Sequence, residues 1–178
     1  KRDEAKHMDI AKKEEYVDFL NKEISKYNTR AITHESTKSG NQIFNSLYMI
    51  CSNIERISDH AINIADYSNM IEEKKIVFSA QAREEMVELQ RICDKLFMVL
   101  LEKGDDVIDW HEKIACMEQK MDDVTALYRN NMFTRIQEGV CTDEGSILFS
   151  EMLTDFERIG DHALNISNEM LNISMNER

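Results

Sequence analysis

The chain has 178 residues, no proline, five glycines and a formal net charge of −12. That charge argues against nucleic acid as a partner, because binding it requires a basic face to neutralise phosphates; an acidic surface suits cations, or simply solubility. The length allows one domain with a substantial core or two small fused bundles, and the missing proline together with 3.6-residue periodicity throughout predicts an all-α fold.

The first predicted helix runs from Asp3 to Ile32, with Ile10, Val17, Leu20, Ile24, Tyr27 and Ala31 as its apolar stripe. Glu14 and Asp18 sit at i, i+4 to one side of that stripe. A cluster of turn formers, Ser36 to Asn41, ends it. The second helix, Gln42 to Glu72, has the stripe Ile43, Leu47, Ile50, Ile54, Ile57, Ala61 and Ile64. On its outer face Glu55, Asp59 and Asn63 form a row at i, i+4, i+8.

Residues 73–78 read as a connector, and Ser79 as the N-cap of a third helix from Ala80 to Lys103. Its buried face is Met86, Leu89, Ile92, Cys93, Leu96, Val99 and Leu100, with no comparable carboxylate pair. Gly104 breaks the chain, and Asp105 and Asp106 put negative charge where the dipole of the fourth helix favours it. That helix carries Glu118 and Asp122 at i, i+4 and ends at Gln137, with Gly139 as C-cap. The fifth, Glu144 to Asn172, places Glu157, Asp161 and Asn165 outside and Ile159, Ala163 and Ile166 inside.

Two stretches, Asn53–Asp66 and Asp155–Asn168, share the core E-R-I-x-D-H-A-x-N-I. An internal repeat governs the reading of the whole chain. Packing alone would preserve apolar positions, yet Glu55, Arg56, Asp59, His60 and Asn63 recur as Glu157, Arg158, Asp161, His162 and Asn165. The repeat extends to the earlier pairs: Glu14 and Asp18 match Glu118 and Asp122. Each half therefore has one E-x-x-x-D on an earlier helix and one on a later helix, and antiparallel neighbours could bring them together. The third helix has no counterpart in the first half, so on repeat logic a helix is missing before Lys1.

A single E-x-x-x-D on a solvated helix face is ordinary, and Arg56 and Arg158 read as surface ion-pair partners of small worth. Four such pairs in matched contexts point to a cation, since carboxylates at i, i+4 repel one another. An all-oxygen set suits iron or manganese, with magnesium, calcium or zinc as alternatives. His60 and His162 read as packed, hydrogen-bonded residues at the edge of the stripe, with metal ligation as the lesser alternative. A ferritin-like di-iron site would need Glu-x-x-His inside the bundle, and no nucleophile–base pair or phosphate-cradling glycine loop is present, so nothing argues for an enzyme. Cys51, Cys93, Cys116 and Cys141 lack C-x-x-C spacing and read as reduced thiols of a cytosolic protein. The longest apolar run, Leu96–Leu101, is too short to span a bilayer, which needs about 20 residues. No signal peptide is visible, and a start without methionine inside a charged helix reads as a fragment of something larger.

At Glu55–Ile64 and Glu157–Ile166 the sequence resembles the PhoU family, with Ser58 in place of the glycine of its E-R-I-G-D-H-A-x-N-I signature. The resemblance implies tandem three-helix bundles, at 1–75 and 76–178, with the first helix of the first bundle absent from this chain. It implies metal binding, iron first and zinc or manganese next, by Glu14, Asp18, Glu55 and Asp59 in one site and Glu118, Asp122, Glu157 and Asp161 in the other. The segment Lys12–Ile24 and the proline-free approach Phe44–Glu55 are similar to the PhoU-like cytosolic domain of bacterial sodium/phosphate cotransporters. That likeness implies a regulatory domain at the inner face of the cell membrane, partnered by the membrane portion of the cotransporter. The alternatives are a free-standing PhoU regulator of a phosphate ABC transporter and its histidine kinase, and a metal-free module. In the latter an open apolar groove would favour homo-oligomers.

Overall fold

The computed structural model describes residues 4–176, and these form five helices: α1 (Glu4–Ile32), α2 (Lys38–Glu73), α3 (Ala80–Leu101), α4 (Val107–Gln137) and α5 (Asp143–Asn176). The predicted start at Asp3 lies outside the described residues. α3 ends at Leu101, short of the expected Lys103, and two boundaries differ from expectation by a full turn for local reasons. α2 begins at Lys38 rather than Gln42, because Thr37 caps it by accepting the Gly40 N–H at 3.0 Å, so the polar run 38–41 is its first turn and not a loop. α5 runs on to Asn176, where its last carbonyl accepts the Ser39 hydroxyl of α2 at 2.8 Å. α4 is capped by Asp106, which accepts the N–H groups of Ile108 and Asp109. Gly139, at φ 67°, takes the left-handed conformation that ends the helix.

α3, α4 and α5 pack on one another, with Leu89, Leu96, Ile114, Met121, Phe149 and Leu153 fully buried at their centre. Inside this bundle the Glu85 carboxylate accepts from the Arg135 guanidinium at 3.0 Å and from Asn131 at 2.8 Å, fastening α3 to α4. α2 lies antiparallel along α5: Ser39 meets Asn176 at one end, His60 meets Asp155 midway, and Lys74 meets Glu144 at the other end. Among the described residues α1 packs on α2 alone.

The apolar stripes predicted for the first half are only partly covered. Ile24 and Tyr27 of α1, and Leu47 and Ile54 of α2, are exposed, whereas the most buried residues of these helices are polar: Asn28, Ser46 and Asn53. The physical reason is topological. Among the described residues the second half has three helices to enclose its core, and the first has two.

Candidate metal centres

Among the described residues, two groups of carboxylates converge. Glu14 and Asp18 of α1 meet Asp59 of α2, and Glu118 and Asp122 of α4 meet Asp161 of α5; within each group one oxygen per residue lies within 4.8 Å of the others. The groups occupy matching repeat positions. In each, two ligand candidates stand one turn apart on the earlier helix and the third comes from the E-R-x-x-D-H helix packed against it.

The acidic row is therefore not an outer face in the sense predicted: Asp59 looks at α1 and Asp161 at α4. The row also stops short. Asn63 and Asn165 leave it and donate to Asp155 and Asn53 across the α2–α5 interface, each at 3.4 Å.

The fourth residue of each expected set stands apart from its group. Glu55 remains in the electrostatic neighbourhood, where burial and the charges of Asp59 and Asp18 hold its carboxyl above the usual range. Glu157 instead accepts from Arg129 at 3.1 Å. Basic side chains also reach two members of the triads, Lys22 on Asp18 and Arg158 on Asp161, both at 3.0 Å. Arg129 escaped sequence reasoning because its repeat counterpart in α1 is Ser25, so the motif logic gave no signal for it.

Burial raises the pKa of Glu14, Glu118 and Asp122, and the neighbouring carboxylates push the same way: Asp18 and Asp59 on Glu14, Asp122 and Asp161 on Glu118, and Asp161 and Glu157 on Asp122. The fold thus holds like charges together at a cost. One oxygen, Oδ1 of Asp122, is buried with no hydrogen-bond partner, which is costly for a charged acceptor unless something cationic meets it. The oxygens of each triad lie within 4.8 Å of one another, and three oxygens spread evenly about one ion at bonds of about 2.2 Å stand about 3.8 Å apart, so side-chain movement of about an ångström or less would seat an ion. The longer bonds of calcium, about 2.3–2.6 Å, would need less movement still. Gly160, which stands where the first copy has Ser58, sits beside this site; a Cβ there would meet Met121 and Glu118 side chains at 3.6–3.7 Å, ordinary contact distance, so either residue fits.

The histidines of the repeat face away from the triads. His60 donates from Nδ1 to Asp155 Oδ1 at 2.6 Å, and His162 donates from Nδ1 to Asn53 Oδ1 at 2.9 Å. The two rings stack with centroids 5.5 Å apart. Asn53 and Asp155 are themselves repeat counterparts, so the pairs cross between the two copies with approximate two-fold symmetry. Burial, with His60 beside it, holds His162 below the usual histidine range. Burial likewise raises the pKa of Tyr67, and the adjacent Asp155 adds to this. The acceptors Asn53 and Asp155 were legible in principle as the first polar match of the two repeated stretches.

No helix among the described residues is long and apolar enough to cross a membrane. Residues 1–68 match the family model of the PhoU domain. Over 168 residues, 92% of this chain and 71% of the relative, the sequence is 24% identical to the phosphate-specific transport system accessory protein PhoU homolog 1 of Thermotoga maritima.

Proposed function

We propose that the chain is a PhoU-like regulatory domain of phosphate uptake whose two carboxylate triads hold metal ions; the match of residues 1–68 to the PhoU domain model and the 24% identity to a PhoU homolog support this reading. The observation that carries this reading is the convergence of Glu14, Asp18 and Asp59, and of Glu118, Asp122 and Asp161, at matched positions of the repeat. The buried, unpartnered oxygen of Asp122 supports it. A bound ion would neutralise each triad and tie α1 to α2 or α4 to α5. Glu55 and Glu157 would complete the two sets, Glu157 after leaving Arg129. The all-oxygen donor set suits iron or manganese, with zinc next.

The domain acts by binding rather than by catalysis. Its place is at the inner face of the membrane, beside the membrane portion of a sodium-dependent phosphate cotransporter. The likeness of Lys12–Ile24 and Phe44–Glu55 to that group supports this placement. The named relative, an accessory protein of a phosphate-specific transport system, supports a free-standing regulator at least as well. Phosphate uptake by cells expressing the natural gene product, measured with and without sodium, separates the two: sodium-dependent uptake that responds to Asp59→Asn and Asp161→Asn supports the first reading. Elemental analysis of protein purified without chelator tests the metal. Bound iron, manganese or zinc that is lost in both variants is the expected result. A metal-free protein whose melting ignores all three ions would sink the proposal and leave a purely structural module.

A further inference from the structure

α4 ends in a turn that carries the chain back over its own last residues. Gly139 takes the left-handed conformation, and the Val140 N–H donates to the Arg135 carbonyl at 2.9 Å. Thr142 then starts α5 by accepting the Gly145 N–H at 3.1 Å. Cys141, between these anchors, is set beside the Arg135 side chain. The two residues line one small cavity with Phe78, Met132 and Phe149, and about 10 Å³ of it is open to the centre of a water-sized sphere. That is room for about one added oxygen atom.

The Arg135 guanidinium is fastened on every side but one. Its side chain is only 5% exposed. Nη1 donates to Glu85 Oε1 at 3.0 Å, Nη2 lies 2.9 Å from Glu85 Oε2, and the guanidinium carbon stands 5.1 Å over the Phe149 ring. Nε is left buried, with no hydrogen-bond partner among the described residues. Native cores leave few such donors, because an unmet N–H on a charged group is costly. Burial works against this charge, yet Glu85 and then the Cys141 sulfur outweigh it and hold Arg135 above its usual range. The sulfur is therefore within reach of the guanidinium.

We propose that Cys141 is an oxidation site for hydrogen peroxide, whose sulfenic oxygen accepts the Arg135 Nε–H inside this cavity. The Cys141 sulfur attacks one peroxide oxygen; an S–O bond forms as the O–O bond breaks, and the thiol proton leaves with the second oxygen as water. Sulfur loses two electrons and peroxide gains two. The added oxygen fills the cavity and ties the α4–α5 turn to the Glu85–Arg135 pair. A small thiol restores Cys141 through a mixed disulfide. The other cysteines lack this setting: Cys116 is exposed, Cys93 is buried, and half-buried Cys51 has a thiol pushed up by burial alone. Ala31 stands at the position of α1 that matches Arg135, so the device belongs to the second half. This inference does not depend on the metal centres.

The test exposes the folded full chain, in chelator, to dilute hydrogen peroxide. Catalase stops the reaction, and the protein is then unfolded in dimedone, which tags sulfenic acid wherever it has formed. Peptide mass spectrometry is expected to find the tag on Cys141 before Cys51 and Cys116, although iodoacetamide added to the folded chain labels exposed Cys116 first. Arg135→Lys keeps a cation against Glu85 but has no Nε–H. It is expected to slow Cys141 oxidation about tenfold, the worth of one hydrogen bond to a charged acceptor, with Cys116 unchanged. The order among the cysteines of the unmodified chain decides the matter even where that variant does not fold. An order that merely follows exposure, with Cys116 tagged first, overturns the proposal. So does an Arg135→Lys protein, folded by circular dichroism, whose Cys141 oxidises at the parent rate.

Discussion

Replacing Asp122 by asparagine separates a metal site from an incidental acidic cluster, because the two give opposite signs. Asp122 stands within 4.8 Å of Glu118 and Asp161, and its Oδ1 is buried without a partner. Two unit charges at that separation repel by about 0.9 kcal/mol in water and about 3.5 kcal/mol at an effective dielectric of about 20. The triad is only half-buried, so the lower end applies, and removing the charge should stabilise the metal-free protein by about 1 kcal/mol. For a chain of this size that raises Tm by about 2–4 °C. Asparagine also has a donor to offer Glu118 and Asp161. With an ion at about a hundred times its Kd, the parent protein should gain about 2.7 kcal/mol, and Asp122→Asn should gain much less. Melting of both proteins, first with chelator and then with manganese or zinc, reads the two effects in one assay. A variant less stable than its parent in chelator, or an equal metal response from both, refutes the reasoning.

The raised carboxyl pKa values of Glu14, Glu55, Glu118 and Asp122 fix a pH dependence. The folded state then binds more protons than the unfolded chain, so metal-free stability is greatest at and below the ordinary carboxylate range and falls as pH rises through the raised folded values. On acidification these carboxylates add stability, while His162, held below the usual range, acts in the opposite sense. The carboxylate part is read in chelator as a stability gain on acidification that is larger in the parent than in Asp122→Asn, and added metal should flatten or reverse it. Arg129→Ala should leave stability within about 1 kcal/mol, since its pair with Glu157 is part-exposed, and should tighten metal binding at the second triad by freeing Glu157; calorimetric titration showing weaker binding counts against the assignment of Glu157. Asp155→Ala strips the acceptor from His60 and Asn63 in the α2–α5 interface, and urea denaturation should report a loss of about 2–4 kcal/mol. A change under about 0.5 kcal/mol would mean that the crossed pairs do not hold the halves together. Cys93, whose thiol burial pushes up to about 12, should resist alkylation until unfolding, while exposed Cys116 reacts at once.

Helix order and the pairing of carboxylates were legible because they rest on near-range signals: 3.6-residue periodicity, the Asp106 and Ser79 caps, and polar identities repeated in register. What was not legible depended on neighbours distant in sequence. Periodicity shows that Leu47 and Ile54 lie on an apolar face, but not that no helix covers it. The i, i+4, i+8 rule put Asn63 in line with Glu55 and Asp59, yet from i to i+8 a straight helix drifts by about 80°, and Asn63 reaches Asp155 on α5 instead. Glu157 was assigned by its motif, and its Arg129 partner comes from the neighbouring helix, 28 positions away. The early start of α2 was visible in Thr37, but Ser39, Gly40 and Asn41 outweighed it as turn formers.

The crossed pairing of His60 with Asp155 and His162 with Asn53 gives the duplicated motif two employments on adjacent residues. Asp59 and His60 are separated by about 1.5 Å of rise and about 100° of rotation, so one side chain addresses the helix of its own half while the next grips the opposite half. Excising either half would strand the histidine of the other, so neither is expected to persist alone. A rotation of α2 that drew Asp59 towards an ion would swing His60 by the same angle against α5. Were both triads to hold cations, the two sites could not be tuned one at a time.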